Sequence, residues 1–281
     1  MMAFMRIDVI IPTFNRAPVL MRAIQSVLNQ TYQDFTLHIV DDGSTDETAS
    51  VLVQVQSHPK VVVHRQENRG VSAARNFGVK NSTAPYISFL DSDDEWMPEK
   101  LQVQANFLKN SPHLSFLHSE EIWVRNGVRV NPKVKHQKSS KNLFIRSLDF
   151  CLISPSTVIL SRELFLKHNG FDESFTVCED YDLWLKILAS EEIGFIEQPL
   201  TVKYGGHEDQ LSTKFVAMDY WRIKSLCRLI KEASLSLEQK EQVKNVLEKK
   251  AGILLKGYVK YQNQSAHDEI SALLKDTISY F

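Results

Sequence analysis

The sequence predicts an α/β protein with a mainly parallel central sheet flanked by helices and an all-helical C-terminal extension. Short apolar runs at 7–11, 35–40, 60–64 and 86–90 are rich in β-branched and aromatic side chains. Segments with helical spacing separate them, which is the order of βαβ units. Three of these runs end in polar, turn-rich stretches, Pro12–Arg16, Asp41–Asp46 and Asp91–Asp94. Right-handed crossovers bring such loops to one rim of a parallel sheet. Beyond about residue 214 the pattern is helical throughout.

Taken in order, Ile7–Ile11 is a first strand that Pro12 is expected to stop. Val19, Leu20, Ala23, Ile24, Val27 and Leu28 then recur at helical spacing. Strands follow at 35–40 and 60–64, a helix opens at Gly70 and runs to Val79, and residues 86–90 form a fourth strand. The second half is less regular. Leu114–Leu117 and Ile122–Val124 are expected as separate strands, 125–141 as a flexible loop, Thr157–Leu160 as a short strand, and Ile193–Tyr204 as an extended stretch. Glu179–Leu188 is expected as a helix with Leu183, Trp184, Ile187 and Leu188 on one side. In the tail, Ser236 and Gln239 have the spacing of a capping box, and a last helix starts near Ser265. The expected division is 1–213 for the α/β domain and 214–281 for three short helices that pack on it or on a second copy of the chain.

Bulk properties narrow the function classes. The chain has 281 residues, 43% apolar and 24% charged, with a net charge of −1. That balance gives no general attraction to nucleic acid or anionic membrane. Three widely spaced cysteines, Cys151, Cys178 and Cys227, form neither a disulfide framework nor a zinc motif. No stretch approaches the roughly 18 apolar residues of a spanning helix. From Met1 the chain passes into a strand with no apolar signal core, which predicts a cytoplasmic protein, one that can still act at the inner membrane surface through its tail.

The densest chemical signal is Asp91-Ser92-Asp93-Asp94, where a buried-looking strand ends in three carboxylates. Such a cluster repels itself unless a cation or several donors sit among its oxygens. Mg²⁺ or Mn²⁺ takes oxygen ligands and is commonly shared between carboxylates and substrate phosphates. The carboxyl end of a parallel sheet is where such ligands bind. Other motifs are ambiguous alone. Pro12–Arg16 can cradle a nucleotide or be a turn capped by Asn15. Asp41 and Asp42 can accept from a base or ribose, or help start a helix. Arg75 can reach a diphosphate, brace the acidic loops, or make a surface ion pair. Glu179, Asp180 and Asp182 place three acids in one helical turn, more than dipole complementation needs, so one can serve as general base. His207 follows Gly205-Gly206 and can contact metal or phosphate, or simply be exposed.

In order along the chain, Ile10-Ile11-Pro12-Thr13-Phe14-Asn15-Arg16, Val40-Asp41-Asp42-Gly43-Ser44-Thr45-Asp46, Asn68-Arg69-Gly70-Val71-Ser72-Ala73-Ala74-Arg75-Asn76, Phe89-Leu90-Asp91-Ser92-Asp93-Asp94 and Glu179-Asp180 resemble glycosyltransferase family 2 over roughly residues 6–211. The resemblance implies the GT-A fold and inverting transfer of a sugar, from a UDP-sugar by family habit, to an acceptor hydroxyl. It implies a divalent metal, a saccharide or lipid-linked acceptor, and a place in cell-surface polysaccharide or glycan synthesis. It assigns Pro12, Thr13, Phe14, Asn15, Arg16, Asp42, Arg75, Asp91 and Ser92 to nucleotide-sugar binding, with Asp42 facing the base. Asp93 becomes the metal ligand, His207 a second metal or diphosphate contact, and Asp180 the base, with Glu179 the alternative. A homodimer through the tail is a further expectation. Two rivals remain at this stage: a sugar nucleotidyltransferase, disfavoured because Pro12–Arg16 lacks glycine, and a nucleotide-sugar-binding scaffold with a dead site.

Overall fold

The structure, a computed structural model, describes residues 5–133, 136–139, 141–206 and 218–281. The chain divides into two compact units. The first holds residues up to 140 with 153–176 and 192–207; the second holds 141–152, 177–191 and 208–281. This runs differently from a division at 213/214, because two segments from the middle of the chain belong with the tail helices.

The first unit is built on one sheet. Its first half is β1 (Ile7–Thr13), β2 (Phe35–Asp41), β3 (Val61–Arg65) and β4 (Tyr86–Phe89), arranged β3-β2-β1-β4 and all parallel. The crossovers are α1 (Ala17–Leu28), α2 (Thr48–Val53) and α3 (Val71–Lys80). Every residue of β1 is buried, as expected for a strand covered on both faces. Ile7, Val9 and Ile11 join Leu20, Ala23, Ile24 and Val27 of α1 in one apolar cluster. On α3, Gly78 sits where a Cβ would come within 2.5 Å of Ile10 Cγ2 and 3.2 Å of Val40 Cγ2.

Pro12 does not stop β1, which continues to Thr13 with Pro12 opposite Val40. The reason is directional. Ile10 accepts from Leu90 N on the β4 side, and Thr13 accepts from Asp42 N on the β2 side. Alternation turns the backbone of Pro12 toward β4, whose pairing already ended at Ile10–Phe89. The missing N–H therefore costs no ladder bond.

The sheet continues through β5 (Glu95–Trp96), β6 (Phe116–Arg125), β7 (Val128–Val130), β8 (Ile159–Ser161) and β9 (Gly194–Gly205) in the order β4-β8-β6-β9-β5, with β7 beside β6. Here α4 (Lys100–Asn110) follows β5, and α6 (Arg162–Lys167) follows β8. The two strands expected at 114–117 and 122–124 are one strand. Its register against β9 shifts between Ser119, Glu120 and Glu121, and this irregularity breaks the alternation. Part of the expected loop at 125–141 is β7, joined to β6 by Asn126 and Gly127, both at positive φ, the backbone a tight hairpin requires. The strand expected at 157–160 begins later, after a 3-10 turn at Pro155–Thr157.

The described elements of the second unit are helices: α5 (Leu143–Asp149), α7 (Glu179–Leu188), α8 (Met218–Glu232), α9 (Leu237–Lys260) and α10 (Gln264–Thr277). The Ser236–Gln239 capping box is present. At 24 residues α9 is longer than the short helices expected. Leu148, Tyr181, Leu183, Leu226 and Val243, each at most 1% exposed, come from four of these helices. Tyr181 donates to Leu148 O at 2.7 Å, Lys250 to Asp149 O at 3.0 Å, and Gln239 to Ala189 O at 3.1 Å.

The Gly78 contact yields a prediction. Gly78→Ala gains helix propensity of about 1 kcal/mol, but forces a methyl into Ile10, an overpacking cost of about 1–3 kcal/mol. The urea midpoint is expected to fall; an unchanged or raised midpoint would show that α3 has room to move off the sheet.

Candidate active site

The rim at the carboxyl ends of β1, β2 and β4 is tied together by its own polar groups. Asn15, at φ 53°, does not cap α1. Its Oδ1 accepts from Thr45 N at 2.8 Å and Asp46 N at 3.3 Å, while its own N–H donates to Ser44 Oγ at 2.9 Å. Arg16 N donates to Thr48 Oγ1 at 3.1 Å, and Ala17 N to Asp46 Oδ2 at 3.2 Å. These bonds join the loop after β1 to the loop after β2. Pro12 is buried, Thr13 Oγ1 is buried with no partner among the described residues, and Phe14 leaves 43% of its surface open at the rim.

The paired acids after β2 are internal braces. Asp41 Oδ1 accepts from Ser44 N at 2.9 Å. Asp42, 3% exposed, accepts from Gln66 Nε2 at 2.7 Å, Arg69 N at 2.9 Å and Gly70 N at 2.8 Å. Both of its oxygens are thus engaged where the chain enters α3. Gly43 turns between these loops at φ 80°, where a Cβ would lie 2.9 Å from Asn68 N. Arg75 is 3% exposed, which rules out the surface ion pair. Its Nη2 donates to Asp91 Oδ1 at 2.7 Å, and its guanidinium carbon lies 5.0 Å from the Phe171 ring centroid.

The acidic turn follows β4 directly. Asp94 N donates to Asp91 O at 3.0 Å, folding Ser92 and Asp93 into a tight turn with Ser92 buried. Asp91 N is held by Ser156 Oγ at 3.1 Å. Asp94 is 1% exposed and accepts from Ser156 Oγ at 2.7 Å and Tyr204 N at 3.2 Å. Arg22 of α1 donates to Asp93 O at 2.5 Å and stacks 3.7 Å from the Tyr204 ring centroid. Burial, then the charge of Asp91, pushes the Asp93 carboxyl above its ordinary value, against Arg16 and Lys203. Burial raises Asp94 further, with Lys203 opposing and the other two acids adding to the rise. Lys203, Ser156, Arg22 and Tyr204 carry no motif; they come from segments far along the chain, and the sequence signals none of them.

The donor set suits a hard divalent cation. Among the described residues no three His, Cys, Asp or Glu side chains converge into a self-sufficient metal site. The chain offers carboxylate oxygens on Asp93 and Asp94 whose ionised form is disfavoured chiefly by burial, which fits an ion that completes its shell with substrate phosphates. His207 lies outside the described residues.

Asp180 belongs to the second unit, in the first turn of α7. It is half-buried and accepts from Tyr181 N at 2.7 Å, whereas Glu179 is buried and Asp182 pairs with Lys186 at 2.9 Å. Burial and the charge of Asp180 push the Cys178 thiol up to about 12, so it remains protonated at neutral pH.

The family model for glycosyl transferase family 2 matches residues 8–167. The chain belongs to glycosyl transferase family 2. An uncharacterized glycosyltransferase of Rickettsia conorii is 34% identical over 202 residues, which is 70% of this chain and 32% of that protein. The chain thus spans about a third of that curated relative's length. WfgD of Escherichia coli, named a UDP-Glc:alpha-D-GlcNAc-diphosphoundecaprenol beta-1,3-glucosyltransferase, is 33% identical over 191 residues, covering 68% of this chain and 72% of WfgD. Among solved structures, S. aureus TarS 1-349 in complex with UDP superposes with a TM-score of 0.68 at 22% identity, over 91% of this chain and 72% of that one. Mannosyltransferase PcManGT from Pyrobaculum calidifontis, in complex with GDP-Man and Mn2+, gives 0.61 at 17%, over 98% of this chain and 75% of that one. These likenesses establish the GT-A fold for this family 2 member.

Lys203 also meets Glu121 on β6. Glu121 is 5% exposed, and its Oε2 pairs with Lys138 Nζ at 3.0 Å. Its Oε1 accepts from Trp123 Nε1 at 2.7 Å and Ser154 Oγ at 3.2 Å. Burial alone would raise its pKa; Lys138 and Lys203 outweigh it and bring the carboxyl from 4.5 down to about 2. A depressed carboxyl stabilises the fold above its ordinary pKa and loses that contribution as pH falls through the folded value. Glu121→Gln leaves buried cations without their counterion and is expected to cost about 3 kcal/mol or more at pH 7. Urea unfolding of both proteins from pH 7 to 2.5 should show the gap closing as pH drops below 4.5. A gap independent of pH would contradict the assignment.

Proposed function

We propose that this family 2 member is a metal-dependent inverting glycosyltransferase that moves a sugar from a nucleotide sugar, a UDP-sugar foremost, to a hydroxyl of a lipid-linked saccharide. One observation carries the reading: at the rim beyond β4, Asp91 and Asp93 share a half-buried turn in which burial and the charge of Asp91 raise the Asp93 carboxyl even against Arg16 and Lys203. A divalent cation held by these carboxylates would favour their ionised form and supply positive charge for a diphosphate.

Phe14 offers an open aromatic face for the nucleoside, and the buried Thr13 Oγ1, without a partner among the described residues, offers a polar contact beside it. Asp42 fixes the entry to α3 through backbone amides, so its part in nucleoside binding is to shape the pocket wall. Arg75 holds Asp91 in place, and with it the acidic turn. Asp93, with Asp91 beside it, would hold the divalent ion. That ion would neutralise charge developing on the departing nucleoside diphosphate, an interaction stronger in the transition state than in the ground state.

Asp180 is the base. Its carboxylate takes the proton from the acceptor hydroxyl as that oxygen attacks the anomeric carbon from the face opposite the diphosphate, and configuration inverts. Greater exposure favours Asp180 over the buried Glu179. The protonated Cys178 thiol is no nucleophile, consistent with a single displacement. UDP and a lipid-linked acceptor are supported by the name of WfgD, and with them a place in surface polysaccharide synthesis. None of the described helices is long and apolar enough to cross a membrane.

The test is turnover. With Mn²⁺ and an N-acetylglucosaminyl diphospholipid acceptor, one of UDP-Glc, UDP-GlcNAc or GDP-Man should release nucleoside diphosphate. Asp180→Asn should keep nucleotide affinity and lose about 10²–10⁴ in kcat. Undiminished turnover would move the base to another residue, and no release with any donor would refute the reading.

A further inference from the structure

Glu121, Trp123 and Arg125 alternate along β6 and so leave the sheet on one face, and Trp123 stands opposite Lys203 of β9. Lys203 acts electrostatically on Asp93, Asp94 and Glu121. A line of side chains therefore runs from the acidic turn through Lys203 to Trp123, all within the first unit. Beyond Trp123 lies a cavity of about 290 Å³ bounded by Trp123, Arg125, Val130, Pro132, Lys133 and His136. This is near the lower end of the roughly 300–1,000 Å³ of small-molecule sites.

Its lining has a definite chemistry. The Trp123 edge is fixed by the bond from Nε1 to Glu121, which holds the indole in one orientation. His136 lies 5.5 Å from the Trp123 ring, and the Arg125 guanidinium carbon 5.9 Å from it. Val130 and Pro132 add apolar surface, and Lys133 a second basic side chain. Among the described residues no Asp or Glu lines the cavity. A fixed indole suits the C–H face of a sugar ring. Arg and Lys in a lining without a described carboxylate suit phosphate oxygens.

We infer that this cavity binds the acceptor's sugar diphosphate: Trp123 carries the sugar, and Arg125 and Lys133 carry the phosphate oxygens. The inference rests on the transferase reading above and deepens it. Donor and acceptor would share sugar-diphosphate chemistry, but the sites differ. The acidic turn takes a diphosphate only with a divalent cation, whereas this cavity presents its own positive charge and needs none.

The experiment uses the full chain and three probes: an N-acetylglucosaminyl diphosphate on a short alkyl chain, the same sugar as a plain alkyl glycoside, and UDP with Mn²⁺. Arg125→Ala and Lys133→Ala change exposed side chains and are expected to fold. By calorimetry each should bind the diphosphate probe about tenfold more weakly, the loss of one charge-assisted contact. Binding of the plain glycoside and of UDP should stay within about twofold, and KM for the diphosphate acceptor should rise with kcat held. Trp123→Phe should retain part of the affinity for both sugar probes, and Trp123→Ala should lose it for both. For Arg125→Ala and Lys133→Ala, unchanged affinity for the diphosphate probe, or equal weakening with the plain glycoside, overturns the assignment; a parallel loss of UDP affinity hands the cavity to the donor and also overturns it. If the expected selective losses occur but no donor is ever turned over, the cavity assignment stands and the transferase reading is what fails.

Discussion

At the end of β4 three carboxylates share a turn from which most water is excluded, and their mutual repulsion is the constraint around which the first unit is arranged. Asp91 is restrained by Arg75 from α3, Asp94 is buried against Ser156 and the Tyr204 amide, and Lys203 supplies opposing charge. Asp93 is left half-buried with its ionised form disfavoured. Burying like charges is costly unless something pairs with them. Here the buried braces fix Asp91 and Asp94, while burial and the Asp91 charge disfavour the ionised form of Asp93.

The supporting elements follow from that demand. Gly78 lets α3 lie close on Ile10 and Val40, which holds Arg75 level with the acidic turn. Asp42 secures the start of α3 through two backbone amides, and Asn15 ties the neighbouring loops together. Asp42, Arg75 and Asn15, which look like ligand contacts in the sequence, thus act as fixtures of the rim.

The parallel half of the sheet was legible because its strands are buried on both faces and read as plain apolar runs ended by turn residues. The acidic turn was legible for the same reason, as an improbable charge cluster at a strand end. The antiparallel half was not. In β6 an irregularity at Ser119–Glu121 breaks the alternation, and β7 is three residues long, betrayed only by Asn126-Gly127. Arg75 offered three readings because burial cannot be seen in a helix of small residues. Lys203 and Ser156 were invisible because they meet the acids only through the sheet's crossing order β8-β6-β9-β5. The grouping of α5 and α7 with the tail helices likewise depends on long-range packing. Membership of glycosyl transferase family 2, by contrast, rests on the order of local motifs, which is the part a sequence preserves.

The central claim is that Asp93 holds the cation that carries the donor's diphosphate. Anomalous diffraction from crystals grown with Mn²⁺ and UDP tests it most directly. The account predicts a single manganese peak about 2 Å from an Asp93 carboxylate oxygen, shared with oxygens of the UDP diphosphate. A UDP diphosphate bound without manganese, or manganese bound away from Asp93, would contradict it.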